Sequence, residues 1–265
     1  MHPKIHLAVP SSLTVETSDQ KIKTYKVGQV ARAAAIFGVH CVTIYRDPAY
    51  DDSHFIARIL QYMEAPQYLR KLLFSRSHEL RSVGVVPPLK TPHHVLARDD
   101  IREGIVIDVG TGCAWVEIGL DCPALLRTAT VRKGERVTVK IFSRDPLEVK
   151  MTDRPLRYWG YSVQVVDGIA DALNGLVVAT SRRGRPISRA VCNEITKRGA
   201  KVMTFIFGAP NRGLDALFQE AGLSLEDVAD FVVNTIPHQG TETVRTEEAI
   251  LATLSVFNIP LHGSA

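Results

Sequence analysis

The segment Asn234–Glu248, NTIPHQGTETVRTEE, carries the densest structural information in the sequence. It follows a β-branched run, Asp230–Thr235, that predicts a strand, and it leads into Thr246–Phe257, whose apolar residues recur at helical spacing. Glu247 and Glu248 suit the first turn of that helix, because acidic side chains there interact favourably with the helix dipole. Capping leaves the glycine, the hydroxyl residues and the arginine of the segment unexplained. The segment therefore predicts a ligand-binding loop between a strand and a helix.

Two similar junctions occur upstream, each after an apolar run that predicts a buried strand. Leu176–Thr180, LVVAT, precedes TSRRGRPISR (Thr180–Arg189), in which arginines gather where open α/β sheets place their ligands. Arginine suits phosphate because its planar guanidinium is always charged and binds two oxygens at once. Val202–Phe207, VMTFIF, precedes FGAPNRGL (Phe207–Leu214), whose glycines allow a ligand to approach the backbone closely. A solvated basic loop and an ordinary turn are the alternative interpretations of these two segments.

The first part of the chain predicts alternating strands and helices, which implies parallel strands. The predicted elements are strands at Ile5–Pro10 and Cys41–Tyr45 and helices at Ile22–Phe37, His54–Glu64 and Pro66–Phe74. The same pattern returns after Tyr161, with further helices predicted at Ser188–Arg198 and Leu214–Ala221. We therefore predict one α/β domain, residues 1–86 and 161–265, split in sequence by an inserted module at residues 87–160.

The inserted module predicts a small β-barrel or sandwich. After the proline-rich Val86–Pro92, short alternating runs follow one another, separated by turn signals. These runs are Gly104–Val109, Ala114–Leu120, Ala124–Thr130 and Arg136–Phe142. Ile105–Gly112, IVIDVGTG, resembles the first motif of Rossmann-type methyltransferases, which would make Gly110 and Gly112 cofactor ligands. That motif needs a helix after its glycines, whereas the alternating residues that follow predict a β-hairpin.

Composition and charge narrow the class of protein only slightly. The chain has 265 residues, 45% of them hydrophobic and 23% charged, as expected of a soluble globular protein, and no apolar run is long enough to span a membrane. A net charge of +4 slightly favours a polyanionic partner. The scattered cysteines contain no CxxC pair, which argues against a disulfide framework or a zinc ribbon and suits a reducing cytoplasm. The histidines show no metal-ligand spacing, so we predict no metal site.

Taken together, the three loops resemble the SPOUT superfamily of methyltransferases. The resemblance is strongest to an archaeal and eukaryotic branch with an inserted oligonucleotide-binding-like (OB-like) β-module. It rests on Val178–Ser181, on Phe207-Gly208 through Gly213-Leu214, and on Asn234–Pro237 with Gln239-Gly240 and Val244–Ala249. It also includes the N-terminal strand–helix–strand and the position of the insert, so it extends over nearly the whole chain.

The resemblance implies a fold and a cofactor that composition does not reveal. The α/β domain would be a knotted parallel-sheet SPOUT domain, in which the C-terminal segment threads a loop to form a trefoil knot. The cofactor would be S-adenosylmethionine (SAM), held in a bent conformation by the three loops, and two active sites would form across a homodimer. Carried over by position, the cofactor-binding residues are Thr180, Gly208, Ile236, Gly240, Thr241, Val244 and Thr246.

The resemblance also implies an RNA substrate, with a ribosomal RNA base as acceptor and uridine N3 as the suggested atom. That nitrogen must lose its proton, and a cation beside the base would stabilise the resulting anion. We assign the role of this cation to Arg245. Glu247 is a weaker candidate, for the separate role of proton acceptor. The predicted RNA contacts are Arg182, Arg183 and Arg185 on the α/β domain and Lys133, Arg136, Lys140 and Arg144 on the inserted module. The alternative is a non-catalytic RNA-binding protein that retains the fold.

Overall fold

The structure is a computed structural model that describes residues 2–94, 100–128 and 130–262. Its internal contacts divide the chain into two compact units, each formed from separate stretches of sequence. The α/β unit comprises Met1–Gln61, Ser82–Pro87 and Tyr161–Ala265, and the barrel unit comprises Tyr62–Arg81 and Pro88–Gly160.

The strands and helices follow one another along the chain as follows. The strands are β1 Lys4–Pro10, β2 Cys41–Tyr45, β3 Ile101–Gly110, β4 Cys113–Glu117, β5 Ala124–Leu126, β6 Arg136–Arg144, β7 Leu147–Met151, β8 Ser162–Val166, β9 Leu176–Pro186, β10 Val202–Ile206 and β11 Phe231–Asn234. The α-helices are α1 Gln20–Ile36, α2 Ser53–Glu64, α3 Arg70–Leu73, α4 Arg189–Thr196, α5 Leu214–Glu220, α6 Leu225–Val228 and α7 Thr246–His262. Short 3-10 helices lie at Ser11–Thr14, Gln67–Leu69, Glu79–Val85, Pro92–His94 and Ala170–Ala172.

The α/β unit is built on one parallel sheet with the strand order β11-β9-β10-β1-β2-β8. Its central strand β1 is buried along nearly its whole length, as expected of a strand in the middle of a parallel sheet. Because all six strands run in the same direction, the loops that follow them lie along one edge of the sheet. The segments that the sequence singles out belong to three neighbouring strands: two follow β10 and β11, and Thr180–Arg189 lies largely within β9, between them.

Local capping explains where the longer helices begin and end. The carboxylate of Asp19 accepts hydrogen bonds from the backbone N–H groups of Lys21 and Ile22 and so begins α1. That helix ends before Gly38, whose φ of 65° is the left-handed conformation that terminates helices at low cost. Ser188 begins α4 in the same way, by accepting from the N–H of Val191.

The barrel unit is a closed barrel of five strands in the order β3-β4-β5-β7-β6. All its strand pairs are antiparallel except β5 with β7. Alternate residues of these strands fill the interior, for example Val106, Val116 and Val139. Gly110 and Gly112 lie at the turn between β3 and β4, where Gly112 has a φ of 72°. The β-hairpin interpretation of this segment is therefore confirmed, and the Rossmann interpretation is wrong.

The predicted fold class, a parallel-sheet α/β domain with an inserted small β-barrel, is confirmed. Two strands were not predicted: β7, and the edge strand β8, which pairs with β2. Strand β9 is longer than predicted and extends through the arginine-rich segment to Pro186. Pairing with β11 skips residues 180–184, however, because Val232 lies opposite Ala179 and Val233 lies opposite Arg185, so these five residues form a bulge within β9.

The observed units divide the chain differently from the predicted boundaries. Residues 62–81 were expected in the first α/β segment, but they belong to the barrel unit. The contacts that hold them there are polar. Glu64 pairs with Arg136 at 2.6 Å, and the hydroxyl of Tyr68 donates to the carbonyl oxygen of Glu103 at 2.8 Å. Helical periodicity cannot reveal such partners, because they are distant in sequence.

Within the described ranges, no helix combines the length and the apolar character that crossing a membrane requires.

Candidate functional site

A cavity of about 420 Å³ lies in the α/β unit, where the bulge at residues 180–184 of β9 meets the loops after β10 and β11. Its volume falls within the range of roughly 300–1,000 Å³ that is typical of small-molecule sites. The lining comes from residues 180–183, 207–216, 233–236, 239, 242–244, 246 and 249. All three segments singled out in the sequence therefore contribute to one cavity.

The cavity brings together most of the residues assigned to the cofactor. Thr180, Gly208, Ile236, Val244 and Thr246 line it. The other two of that set, Gly240 and Thr241, are exposed and are not among the lining residues.

Two threonine hydroxyls hold the three loops together. Thr180 Oγ1 donates to the carbonyl oxygen of Ile206 at 3.0 Å, which joins the bulge of β9 to the end of β10. Thr246 Oγ1 donates to the carbonyl oxygen of Gly208 at 3.1 Å, which joins the start of α7 to the loop after β10. A hydroxyl that donates once can still accept hydrogen bonds, so both oxygens remain able to bind a ligand donor.

Two glycines allow close backbone approaches in this region. A Cβ atom on Gly208 would lie 3.0 Å from the carbonyl oxygen of Arg212 and 3.2 Å from the backbone nitrogen of Leu214. A Cβ atom on Gly184 would lie 2.7 Å from the carbonyl carbon of Val233, so this glycine lets β11 approach β9. A larger side chain at either position would have to displace backbone.

The loop after β10 is anchored to the neighbouring part of the sheet by an ion pair that the sequence analysis did not identify. Arg212 pairs with Asp47, which follows β2 and is 1% exposed, and also with Glu220 on α5 at 2.6 Å. Burial alone would raise the pKa of Asp47. Hydrogen bonds from Arg212, Ser12 and the backbone of Ala49 outweigh that effect and lower the pKa below its usual value.

A signal for this pair was present in the sequence. Asp47 lies two residues after the apolar run Cys41–Tyr45, at the same sheet edge as FGAPNRGL. The hydroxyl of Tyr45 reinforces the connection, because it donates to the carbonyl oxygen of Phe207 at 2.6 Å. The loop that lines the cavity is thus fixed by groups from β2.

The arginines assigned to RNA have different surroundings. Arg182 Nη1 donates to the carbonyl oxygen of Glu242 at 2.8 Å, and so connects two segments of the cavity wall. Arg185 pairs with Glu194 at 2.8 Å. Arg183 is exposed and lines the cavity, and within the described part of the chain its guanidinium has no hydrogen-bond or ion-pair partner. Arg183 is therefore the arginine of this group best placed to contact a phosphate.

The two residues assigned to catalysis lie at the start of α7, but their environments differ. The backbone N–H of Arg245 donates to Glu248 Oε2 at 3.0 Å, an arrangement typical of a capping box, and its side chain is exposed. Glu247 is buried, with Oε2 3.8 Å from Lys26 Nζ on α1, and neither residue lines the cavity. Burial raises the pKa of Glu247. The position of Glu247 between α1 and α7 indicates a structural role.

Of the barrel residues assigned to RNA, Arg136 is committed to other contacts. Its guanidinium donates to Glu64 at 2.6 Å and to Glu103 at 2.7 Å, and both carboxylates are buried. Lys133 and Lys140 are exposed. Arg136 therefore links two buried carboxylates within the barrel unit.

Among residues 2–94, 100–128 and 130–262, no three His, Cys, Asp or Glu side chains gather in a way that could hold a metal ion.

Comparisons with known proteins give the site a chemical context. The family model described as "Putative RNA methyltransferase" matches residues 4–257. An uncharacterised protein of Halobacterium salinarum is 40% identical over 95% of this chain and 97% of its own length. The human 28S rRNA (uridine-N(3))-methyltransferase is 31% identical over 96% of this chain and 77% of its own length.

Among solved structures, a probable methyltransferase from Bordetella pertussis covers 98% of this chain and 96% of its own, at a TM-score of 0.43 and 11% identity. The family match extends over nearly all of the chain and includes every segment that lines the cavity. This chain therefore belongs to that family of RNA methyltransferases, and the resemblance to RNA methyltransferases seen in its sequence is confirmed.

Proposed function

We propose that this enzyme transfers the methyl group of SAM to a base of ribosomal RNA, with uridine N3 as the acceptor atom. The observation that carries the proposal is one cavity, formed by the bulge of β9 and the loops after β10 and β11, in a chain of this family. The names of the human and Drosophila melanogaster relatives, both 28S rRNA (uridine-N(3))-methyltransferases, support the choice of RNA and atom.

The residues of the cavity fit SAM. Its walls combine apolar side chains, such as Ile236 and Val244, with hydroxyl oxygens and exposed backbone near Gly208. Small-molecule sites typically combine apolar walls with a few placed polar groups in this way. The absence of a Cβ atom at position 208 keeps the loop compact and its backbone accessible.

When bound, SAM would supply a methyl group from its sulfonium, which would leave as a neutral thioether, and the N3 proton of the base would pass to water. The chain's own task is then to position the acceptor base and to stabilise the charge that forms on it. We assign charge stabilisation to the exposed guanidinium of Arg245 and phosphate binding to Arg183. Glu247 is placed outside the chemical step, because it is buried against α1 with its carboxylate near Lys26.

Four further features belong to the proposal. The C-terminal segment forms a trefoil knot, two chains form a dimer, and the inserted barrel is OB-like. The barrel's five-strand closure with one parallel pair supports the third feature. The fourth is a cytoplasmic location, supported by cysteines that are all free in the described residues.

Calorimetric titration of SAM into the purified chain, freed of any co-purified ligand, tests the proposal. We expect micromolar binding at about one SAM per chain, within the usual range for substrates. Gly208→Val should abolish binding, because its side chain meets the backbone of residues 212–214. Gly110→Ala, in the hairpin of the barrel unit, is the matched control and should bind as the wild type does.

Lack of binding by folded wild-type protein would contradict the proposal and favour a non-catalytic RNA-binding protein. Loss of SAM binding in Gly110→Ala, with binding retained in Gly208→Val, would place the cofactor in the barrel unit. That result would also overturn the proposal.

A further inference from the structure

Two large aromatic side chains on the outer surface of the barrel differ in the charges around them. Trp115 on β4 is 43% exposed and Phe142 on β6 is 50% exposed. Trp115 lies opposite the exposed carboxylate of Asp108 on β3. Phe142 lies two residues beyond the exposed Lys140, on the same face of β6.

A second lysine completes the group around Phe142. Lys150 on β7 lies directly opposite Lys140 in the strand pairing, and its Nζ is 4.6 Å from the centroid of the Phe142 ring. Like charges directly opposite each other destabilise an antiparallel pair of strands. In the described ranges, neither lysine forms an ion pair that would offset this cost.

The acidic side chains of the same hairpin do not neutralise the two lysines. Glu148 on β7 pairs with Arg127 at 2.7 Å, and Asp145 lies in the turn between the strands. Arg144 pairs with Asp100 at 3.2 Å and so adds no free charge. The outer face of β6 and β7 therefore presents a half-exposed ring beside two uncompensated positive charges.

From this arrangement we infer that the surface formed by Lys140, Phe142 and Lys150, called here the Phe142 face, binds single-stranded RNA. One base stacks on the exposed part of the Phe142 ring, and the adjacent phosphates lie near the two ammonium groups. The inference rests on the proposed function, to which it adds a second contact with the RNA substrate.

The chemistry of the face favours RNA over a protein partner. Bases stack on aromatic side chains in single-stranded RNA sites, and flanking cations neutralise the backbone. Lysine, in contrast, is depleted from the cores of protein interfaces. The acidic neighbour of Trp115 makes the corresponding surface on β4 unfavourable for a polyanion.

Fluorescence anisotropy with the full chain and a labelled oligouridylate of about 12 nucleotides, a length within the usual site size, tests the inference. Phe142→Ala should weaken binding at least about fivefold, the loss expected from one stacked base. Phe142→Trp should retain affinity within about twofold, because indole also stacks. Trp115→Ala is the matched control, with an exposed aromatic removed from the same barrel, and should leave affinity unchanged.

Salt dependence provides a second readout. Lys150→Gln should lower the slope of log K against log salt concentration by about 0.7, the value for one single-strand phosphate contact. A slope equal to that of the wild type would show that no phosphate lies near Lys150 and would contradict the inference.

The inference is overturned if Phe142→Ala binds as tightly as the wild type or if Trp115→Ala loses as much affinity. It also fails if the wild type does not bind the oligouridylate at low salt, which would leave a protein partner as the occupant. SAM titration of the same variants distinguishes failure of this inference from failure of the proposed function. Phe142→Ala should bind SAM as the wild type does.

Discussion

At the scale of single residues, Arg245 can be replaced without disturbing its helix. Its contribution to the start of α7 comes from the backbone, whose N–H donates to Glu248 and whose carbonyl oxygen accepts from Ala249 at 2.9 Å. We therefore expect Arg245→Ala to keep SAM affinity within about tenfold while transfer to ribosomal RNA falls about 100- to 1,000-fold, the usual cost of losing a charge-stabilising group.

The measurement is incorporation of a labelled methyl group from SAM into ribosomal RNA that lacks the modification, beside calorimetry of SAM binding. Arg183→Ala is the comparison, and it should raise the KM for RNA with little change in kcat, because a phosphate contact contributes to binding. Unchanged turnover in Arg245→Ala would remove this residue from the mechanism.

Residue type alone showed where the arginines gather but not what each contacts. Arg182, Arg183 and Arg185 are close in sequence, yet only Arg183 lacks a partner among the described residues. Their different roles depend on Glu242 and Glu194, which folding brings close to Arg182 and Arg185. Composition and spacing therefore predicted a basic site, and the assignment within it required the structure.

At the scale of elements, the loop Phe207–Leu214 depends on the ion pair between Arg212 and Asp47. We expect Asp47→Asn to weaken SAM binding several-fold and to lower stability by about 1–3 kcal/mol, because Arg212 loses its buried partner. Asp52→Asn is the matched control. Asp52 also follows β2, but its carboxylate bonds to Lys23 at 2.7 Å, to Thr14 and to Tyr50, all outside this loop.

Calorimetry and thermal unfolding of both variants check this prediction. Because the pKa of Asp47 is lowered in the folded chain, its contribution is present above its usual pKa and is lost as the pH falls through the folded value. Equal losses of SAM affinity in the two variants would mean that Asp47 does not act through the loop.

Elements with strong apolar runs were predicted well from sequence. Elements whose extent depends on pairing with a distant strand were not. Strand β9 continues past Thr180 into Arg-, Gly- and Pro-containing sequence that disfavours strands. Pairing with β11 overrides that preference, since Val233 lies opposite Arg185 and Asn234 opposite Pro186. Gly184 allows this approach, so a residue that usually interrupts strands here makes the pairing possible.

At the scale of the whole molecule, the unfolding of the barrel unit can be followed separately from that of the α/β unit. Both tryptophans, Trp115 and Trp159, belong to the barrel unit, so tryptophan fluorescence reports the unfolding of that unit. Trp159 is buried, and its Nε1 donates to Glu103 Oε1 at 2.7 Å within the same network as Glu64 and Arg136.

Tryptophan fluorescence gives a test of the buried charge network formed by Glu64, Glu103 and Arg136. Burial alone would raise the pKa of Glu64, but the hydrogen bond from His93 and the charge of Arg136 outweigh it and hold the pKa at about 2. The stabilisation from Glu64 is therefore complete above about pH 4.5, its usual pKa, and is lost as the pH falls toward 2.

Denaturant unfolding followed by tryptophan fluorescence should show Glu64→Gln destabilising the barrel unit more at pH 7 than at pH 3. Glu148→Gln, which removes an ion pair with the largely exposed Arg127, should cost less than about 1 kcal/mol at pH 7. A pH-independent loss in Glu64→Gln would mean that its charge does not stabilise the fold.

The strand order also has a consequence for how the chain is made. The central strand β1 leaves the ribosome before the barrel unit, but its neighbour β10 and the strands β9 and β11 emerge only after the whole barrel unit. Domains generally fold as units during synthesis, and pairings between distant segments form slowly. A nascent chain would thus carry a folded barrel, with its Phe142 face complete, before the cavity exists. The protein would acquire its means of holding RNA before it acquires its means of modifying RNA.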